Sequence, residues 1–331
     1  MPVDTGGVGR GSELPVLLVT GSSGQVGFEL LRELAALGTV VVPPRSELDL
    51  ARPESIREVV NRVRPTVIVN AGAYTAVDKA ESDRDRCFAV NATAPGVLAE
   101  AARRVGSALI HYSTDYVFDG RKTTPYVETD SVAPLNVYGE SKLAGERAIA
   151  EVGGSWIVLR TSWVYGARGN NFLRTMLRLA RKRDELRVVD DQTGAPTWCR
   201  SIAAATAQLL ARAGGADRLS EHIAQAAGVY HLSSSGQTSW AGFARAILSR
   251  DPRAAEQRCT QVVGIPTSEY PTPAARPAWS VLDNSRISAR FGLHIPPWES
   301  ELDRAMREDF GASMTNGITD EADGADAADT A

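Results

Sequence analysis

The sequence predicts an α/β fold: a Rossmann-like, doubly wound parallel sheet with a smaller C-terminal substrate lobe. Three observations lead there. Short β-branched runs alternate with amphipathic stretches through the first half of the chain. These runs are apolar throughout, as in strands buried on both faces. A glycine-rich turn joins the first run to the first amphipathic stretch. Right-handed crossovers between such strands give the doubly wound arrangement.

Val16–Thr20 reads as a strand, Val26–Leu37 as a helix and Thr39–Val42 as a second strand. Ser55–Val63 is helical and Val67–Asn70 is a strand. Ala89–Val105 is a long Ala-rich helix, and Ala108–Ser113 and Ile157–Thr161 are further strands. Beyond Tyr165 the pattern is less regular. Helices are expected at Asn171–Arg183, Ser201–Ala213 and Ser239–Leu248, and short strands at Arg187–Val189 and Val229–Leu232. Pro266, Pro271 and Pro273 make Ile265–Arg276 a shaped loop. The expected division is a dinucleotide-binding domain over 13–165 and a mainly substrate-binding lobe over 166–312, free to exchange segments with the main sheet. Residues 1–12 and 313–331 carry too little apolar surface to offset chain entropy and are expected to be disordered.

Composition narrows the function classes. Lys and Arg number 36 against 40 Asp and Glu, a formal net charge of −4. Such a chain has no general attraction for nucleic acid or an anionic membrane, so any phosphate site must be local. Cys87, Cys199 and Cys259 lack CxxC spacing, which argues against a disulfide framework or a zinc site and for a reduced, cytoplasmic protein. No stretch approaches the roughly 18 apolar residues of a membrane span, and the N-terminus lacks a signal-peptide pattern.

The chemistry begins at Thr20-Gly21-Ser22-Ser23-Gly24-Gln25-Val26-Gly27. Glycines here permit a tight turn and close approach to a pyrophosphate, and the helix start supplies free N–H groups and partial positive charge. Gly21, Gly24, Gln25 and Val26 are therefore cofactor candidates. After the second strand, Arg45 stands where an acidic residue would pair with NAD ribose hydroxyls. It suits the 2′-phosphate of NADP, and a solvated surface arginine is the other reading. Asp49 and Leu50 are placed beside the adenine. Ala71, Gly72, Ala73 and Tyr74 end the strand closed by Asn70, where small residues let a cofactor cross the sheet edge. Asn91 either braces the site through a helix irregularity or is a buried asparagine satisfied by backbone.

Tyr138 and Lys142 are four residues apart and share a helix face. A phenol of pKa about 10 beside a cation is expected to move toward neutrality, where it exchanges a proton readily. Lys142 is also placed to hold the nicotinamide ribose. Ser113-Thr114-Asp115 ends an upstream strand, and a hydroxyl there can bond a substrate carbonyl. An isolated YxxxK is usually a surface contact. Its force comes from the order of glycine loop, strand-end hydroxyl and helix pair.

At these residues the chain resembles the extended short-chain dehydrogenase/reductase superfamily and, within it, the dTDP-4-dehydrorhamnose reductase family. Gly24-Gln25-Val26-Gly27, Ala76-Val77-Asp78-Lys79-Ala80-Glu81 and His111-Tyr112-Ser113-Thr114-Asp115-Tyr116-Val117-Phe118 carry the likeness. Pro134 to Glu140, Arg160 to Tyr165, Gly169 to Phe172, Asp191 to Thr197 and Tyr270 to Pro273 extend it, so that it spans roughly Leu17 to Phe310. The resemblance implies hydride transfer from NADPH, with NADH as the other candidate, to C4 of a nucleotide-linked 4-keto-deoxysugar. Tyr138 would protonate the alkoxide, Thr114 would orient the carbonyl and Lys142 would tune Tyr138. Tyr74, Thr75, Val77 and Asp115 would lie near cofactor or sugar, and Trp163 would pack on the sugar ring unless it is a core tryptophan. Asn171, Gln192 and Arg276 are further substrate candidates, Arg276 being equally suited to a structural ion pair.

Some members of the family are similar in forming a carboxylate-bridged, magnesium-dependent dimer. Glu29 keeps one such carboxylate, but Cys199-Arg200-Ser201 places a cation where another is expected. No metal is therefore expected in the site or the chemistry, and the chain is expected to be a monomer or weak homodimer. Two rival readings remain. A dehydratase or epimerase of the same fold would act on a related sugar, but a dehydratase needs a glutamate where Tyr116 follows Asp115. A non-catalytic nucleotide-binding regulatory subunit would have no need of Thr114, Tyr138 and Lys142.

Overall fold

The computed structural model describes residues 14–213 and 216–311. The terminal segments expected to be disordered lie outside them. The chain runs β1 (Val16–Thr20), α1 (Gln25–Leu34), β2 (Thr39–Val41), α2 (Pro53–Val63), β3 (Val67–Asn70), α3 (Val77–Ala80), α4 (Arg84–Phe88), α5 (Ala94–Val105), β4 (Ala108–Thr114), α6 (Val137–Val152) and β5 (Trp156–Thr161). Then come β6 (Val164–Tyr165), α7 (Phe172–Ala180), β7 (Glu185–Val189), β8 (Thr193–Gly194), β9 (Thr197–Trp198), α8 (Cys199–Arg212), α9 (Ala216–Gln225) and β10 (Gly228–His231). The last elements are β11 (Thr238–Ser239), α10 (Trp240–Ser249), β12 (Gln261–Ile265), α11 (Ser285–Phe291) and α12 (Trp298–Ala305).

The main sheet has the order β10-β5-β4-β3-β1-β2, and every pairing in it is parallel. Alternate residues along each strand serve opposite faces. Leu17, Val19, Val67, Val69, Ile110, Ile157 and Leu159 pack with Leu30 and Leu34 of α1 and with α8, α9 and α11. Leu18, Ile68, Leu109 and Val158 pack with α2, α5 and Ile149 of α6. A separate core joins α7, α10 and α12 to β7. Among the described residues no helix is long and apolar enough to cross a membrane.

Three expectations change. The first helix is shorter than Val26–Leu37, ending at Leu34. The Ala-rich helix is not uniform, because Ala89–Thr93 is a π-helical turn ahead of α5. Pro95 has no N–H to bond the carbonyl of Asn91 four residues back, so regular winding fails there. Gln261–Ile265, read as no element, is a strand paired in parallel with β7. The run near Val229 supplies the edge strand β10 of the main sheet, and α8 packs on α1.

Two glycines of α6 fix its position. A Cβ at Gly139 would lie 2.3 Å from the Tyr116 carbonyl, and one at Gly145 would lie 2.1 Å from the Asn91 carbonyl. The helix therefore rests directly on the turn after β4 and on the π-helical turn. Asn136 caps it by accepting from the Gly139 N–H at 2.8 Å.

Beneath α6 a buried ion pair joins it to the sheet. Arg160 Nε and Nη2 meet the Glu146 carboxylate at 2.9 and 2.6 Å, and Ser113 donates to it at 2.5 Å. Both side chains are about 5% exposed or less. Removing one partner strands a buried charge. Arg160→Met is expected to lower the unfolding free energy by about 3–5 kcal/mol in urea titration, whereas a loss below about 1 kcal/mol would show that the pair is dispensable.

Candidate active site

The carboxyl ends of β1, β2 and β3 open into a cleft of about 710 Å³. Gly21, in the glycine turn, has φ +69°, and a Cβ on it would lie 2.4 Å from the Gly72 nitrogen. Two chain segments thus cross at contact distance, which only glycine permits. The start of α1 has Gly24 as its cap with no side-chain acceptor, leaving its amides for an outside partner. Gly21, Arg45, Asp49, Leu50, Gly72, Ala73, Tyr74 and Thr75 line the cleft. Arg45 is exposed and makes no ion pair among the described residues. Ser22, Ser23, Lys79 and Arg86 also line it. The serines were legible as part of the glycine loop, but the two cations come from α3 and α4, whose approach no local signal announced.

Other expected cofactor residues stand back. Gly24, Val26 and Ala71 flank the cleft without lining it, and Val26 packs against the apolar cores. Gln25 turns its carbonyl oxygen to Asn171 at 3.0 Å. Asn91 holds Tyr74 by two bonds, accepting from its N–H at 2.8 Å and donating to its carbonyl at 2.9 Å. It combines both anticipated roles, sitting in the π-helical turn and satisfied by backbone. The Tyr74 phenol donates to Asp83 at 3.1 Å, and burial with that carboxylate pushes its pKa up to about 12.

Further along the sheet edge, β4 delivers Thr114 and α6 delivers Tyr138 and Lys142. Thr114 accepts from the Tyr116 N–H at 3.2 Å and donates to Asp115 at 3.0 Å. Tyr138 packs edge-on to Tyr116, ring centroids 5.8 Å apart. Desolvation raises the phenol above its ordinary value, against the lowering influence of the nearby Thr114 hydroxyl. This corrects the expected pull toward neutrality. Lys142 is fully buried, and its ammonium is drawn to the Tyr112 carbonyl at 2.6 Å and to His111 at 3.2 Å. Desolvation is the largest influence on the phenol. Asp115 is buried, which raises its carboxyl to about 6 although Thr114 donates to it.

Three expected substrate residues make bonds within the scaffold. Asn171 caps α7, accepting from Arg174 at 3.1 Å and donating to Gly166 at 2.9 Å. Gln192 donates to Thr267 at 3.0 Å and accepts from the Trp240 indole at 3.2 Å. Arg276 makes a two-point pair with Asp78 at 2.8 and 3.1 Å. Trp163 stacks on Trp240 with centroids 3.5 Å apart and planes 2° from parallel. Its backbone is left-handed, φ +47°, a conformation that costs a bulky residue about 1–3 kcal/mol. Val77 begins α3. Away from the cleft, Arg200 sits among Glu29, Glu308 and Asp309 at 3.0, 2.6 and 2.7 Å.

Comparison with known proteins follows the same lines. The family model described as RmlD substrate binding domain matches residues 16–310. A dTDP-4-dehydrorhamnose reductase of Burkholderia thailandensis is 54% identical over 297 residues, 88% of this chain and 98% of that protein. One from Shigella flexneri is 44% identical over 299 residues, 89% and 98% of the two chains. The crystal structure of a Bacillus anthracis dTDP-4-dehydrorhamnose reductase in complex with NADP superposes with a TM-score of 0.80 at 34% identity, covering 89% of this chain and 99% of that one.

Burial lowers Lys142 from 10.5 to about 8, opposed by Glu146 and Cys87. A folded-state value below the unfolded one means that folding releases a proton between the two. The lysine's contribution to stability is therefore unfavourable at neutral pH and improves as pH rises through that window. In urea titrations at about pH 7.5 and about pH 9.5, the stability of the wild type relative to Lys142→Met is expected to increase with pH. A constant difference would show that the lysine titrates alike in both states.

Proposed function

The chain belongs to the dTDP-4-dehydrorhamnose reductase family, and from that membership we propose that it reduces the C4 ketone of dTDP-4-dehydro-L-rhamnose to dTDP-L-rhamnose, using NADPH, in deoxysugar biosynthesis. One observation carries the reading at residue level. Helix α6 sets the Tyr138 phenol against the Thr114 hydroxyl at the end of β4, with Lys142 buried one turn on.

The cleft suits the cofactor. The contact between Gly21 and Gly72 leaves backbone where a side chain would intrude, and the uncapped start of α1 offers amides to a pyrophosphate. Arg45 provides a paired-donor cation for a 2′-phosphate. When bound, the dinucleotide supplies the hydride. The chain's own residues do the rest. Tyr138, a phenol protonated at neutral pH, gives its proton to the oxygen of the former ketone. Thr114 orients that oxygen, and the Lys142 charge offsets the phenolate left behind. Thr75, Val77, Asp115 and Trp163 are assigned to the substrate side. Asn171, Gln192 and Arg276 shape this side by fixing the walls.

The decisive assay is oxidation of NADPH in the presence of dTDP-4-dehydro-L-rhamnose. Tyr138→Phe is expected to lose about 10²-fold or more in kcat, and equal rates for the two proteins would remove Tyr138 from its role. Arg45→Ala is expected to raise KM for NADPH on the order of tenfold while leaving that for NADH unchanged. A parallel rise for both cofactors would place Arg45 away from the 2′-phosphate.

A further inference from the structure

One row of the main sheet joins three buried polar side chains. Thr20, Asn70 and His111 are register partners on β1, β3 and β4, so their side chains leave the same face of the sheet. All three are buried. Thr20 Oγ1 lies 2.6 Å from one end of the Asn70 amide, and the other end lies 2.9 Å from His111 Nδ1. His111 Nε2 faces Lys142 Nζ at 3.2 Å. The row thus runs from the strand residue before the glycine loop to the lysine one helical turn beyond Tyr138.

Counting donors and acceptors gives this row one consistent arrangement. An ammonium has three donors and no acceptor. Lys142 gives one N–H to the Tyr112 carbonyl and needs a lone pair at His111 Nε2 for another. The imidazole is neutral, because burial and the lysine charge hold its pKa well below the ordinary value. Its proton therefore sits on Nδ1, which requires an acceptor from Asn70. The amide must turn its carbonyl oxygen to His111 and its NH₂ to Thr20, since oxygen and nitrogen of an amide occupy equivalent positions. The opposite orientation would set an Nε2–H head-on against an ammonium inside the protein, where an unsatisfied donor is most costly. Thr20 Oγ1 also accepts from the Gly72 N–H at 3.4 Å. Its own proton is left to point into the cleft that it lines.

We propose that His111 and Asn70 are positioning residues for Lys142: His111, as the Nδ1-protonated tautomer, receives the ammonium through Nε2, and Asn70 enforces that tautomer with its carbonyl oxygen. Thr20 anchors the far end of the row at the glycine loop. The lysine's place beneath Tyr138 is then set by the sheet as well as by its own helix. The kinetic consequence rests on the reading that Lys142 supports Tyr138, whereas the tautomer does not depend on it.

The first test is a long-range proton–nitrogen NMR correlation on the full-length, ¹⁵N-labelled protein near neutral pH. The chain has only four histidines, and the His111 signals are assigned by their absence from His111→Gln. An Nδ1-protonated ring is expected, and an Nε2-protonated ring overturns the proposal. The second test is kinetic. His111→Leu is expected to lower kcat for NADPH-dependent keto-sugar reduction by roughly ten- to a hundredfold, the worth of one hydrogen bond to a charge. His111→Gln is expected to recover most of it, because its amide oxygen takes the place of Nε2. Equal rates for the two variants overturn the proposal, and the wild-type tautomer decides it should the leucine variant fail to fold. Absence of keto-sugar reduction by the wild type would count against the proposed reaction alone, the tautomer still deciding this inference.

Discussion

The close approach of one helix to the backbone of its neighbours governs the rest of the site. Helix α6 can lie against the turn after β4 and against the π-helical turn only because positions 139 and 145 are glycine. That approach places Tyr138 beside Thr114 and buries Lys142 deeply enough to reach the Tyr112 carbonyl. It also lets Ser141 accept from Asn91 at 3.0 Å, while Asn91 in turn holds the Tyr74 backbone at the cleft wall. A proline that interrupts one helix and two glycines in another are therefore upstream of this arrangement. None of these three residues carries a reactive group.

Burial then sets the electrostatics. A cation, an ion pair and a histidine lie together between α6 and the sheet, and each has a specific polar neighbour. Glu146 serves two cations, pairing with Arg160 across the sheet and opposing the desolvation of Lys142 on its own helix. Desolvation pushes the phenol of Tyr138 up in the neighbouring space. The environment thus pushes a phenol up and an ammonium down, drawing apart two groups whose ordinary values nearly coincide.

The parallel sheet, its alternation with helices and the glycine loop were legible because each is written in local periodicity. So was the order of Thr114, Tyr138 and Lys142. What escaped was long-range. Arg276 had the donors for a pyrophosphate, but its partner Asp78 lies 198 residues away, and no spacing rule could pair them. Gln192 and Asn171 likewise looked free until Trp240, Thr267 and Gln25 were brought to them by the fold. The expected lowering of the Tyr138 phenol was not found for a similar reason, since the sequence shows two side chains on one helix face but not the desolvation around the phenol. The parallel strand at Gln261–Ile265 has only β7 for company and mixes glycine with valine, which leaves little periodic signal.

The left-handed backbone of Trp163 carries an implication for how this site tolerates change. Glycine or asparagine would sit there without complaint from the main chain, so local conformational preference and the demand for a large flat ring oppose each other at one codon. Random drift should therefore meet an asymmetric landscape at this position. Replacements that relax the peptide delete the indole facing Trp240, and those that keep a ring inherit the strain. The stacked pair of indoles is accordingly held by a conflict that few single substitutions can resolve.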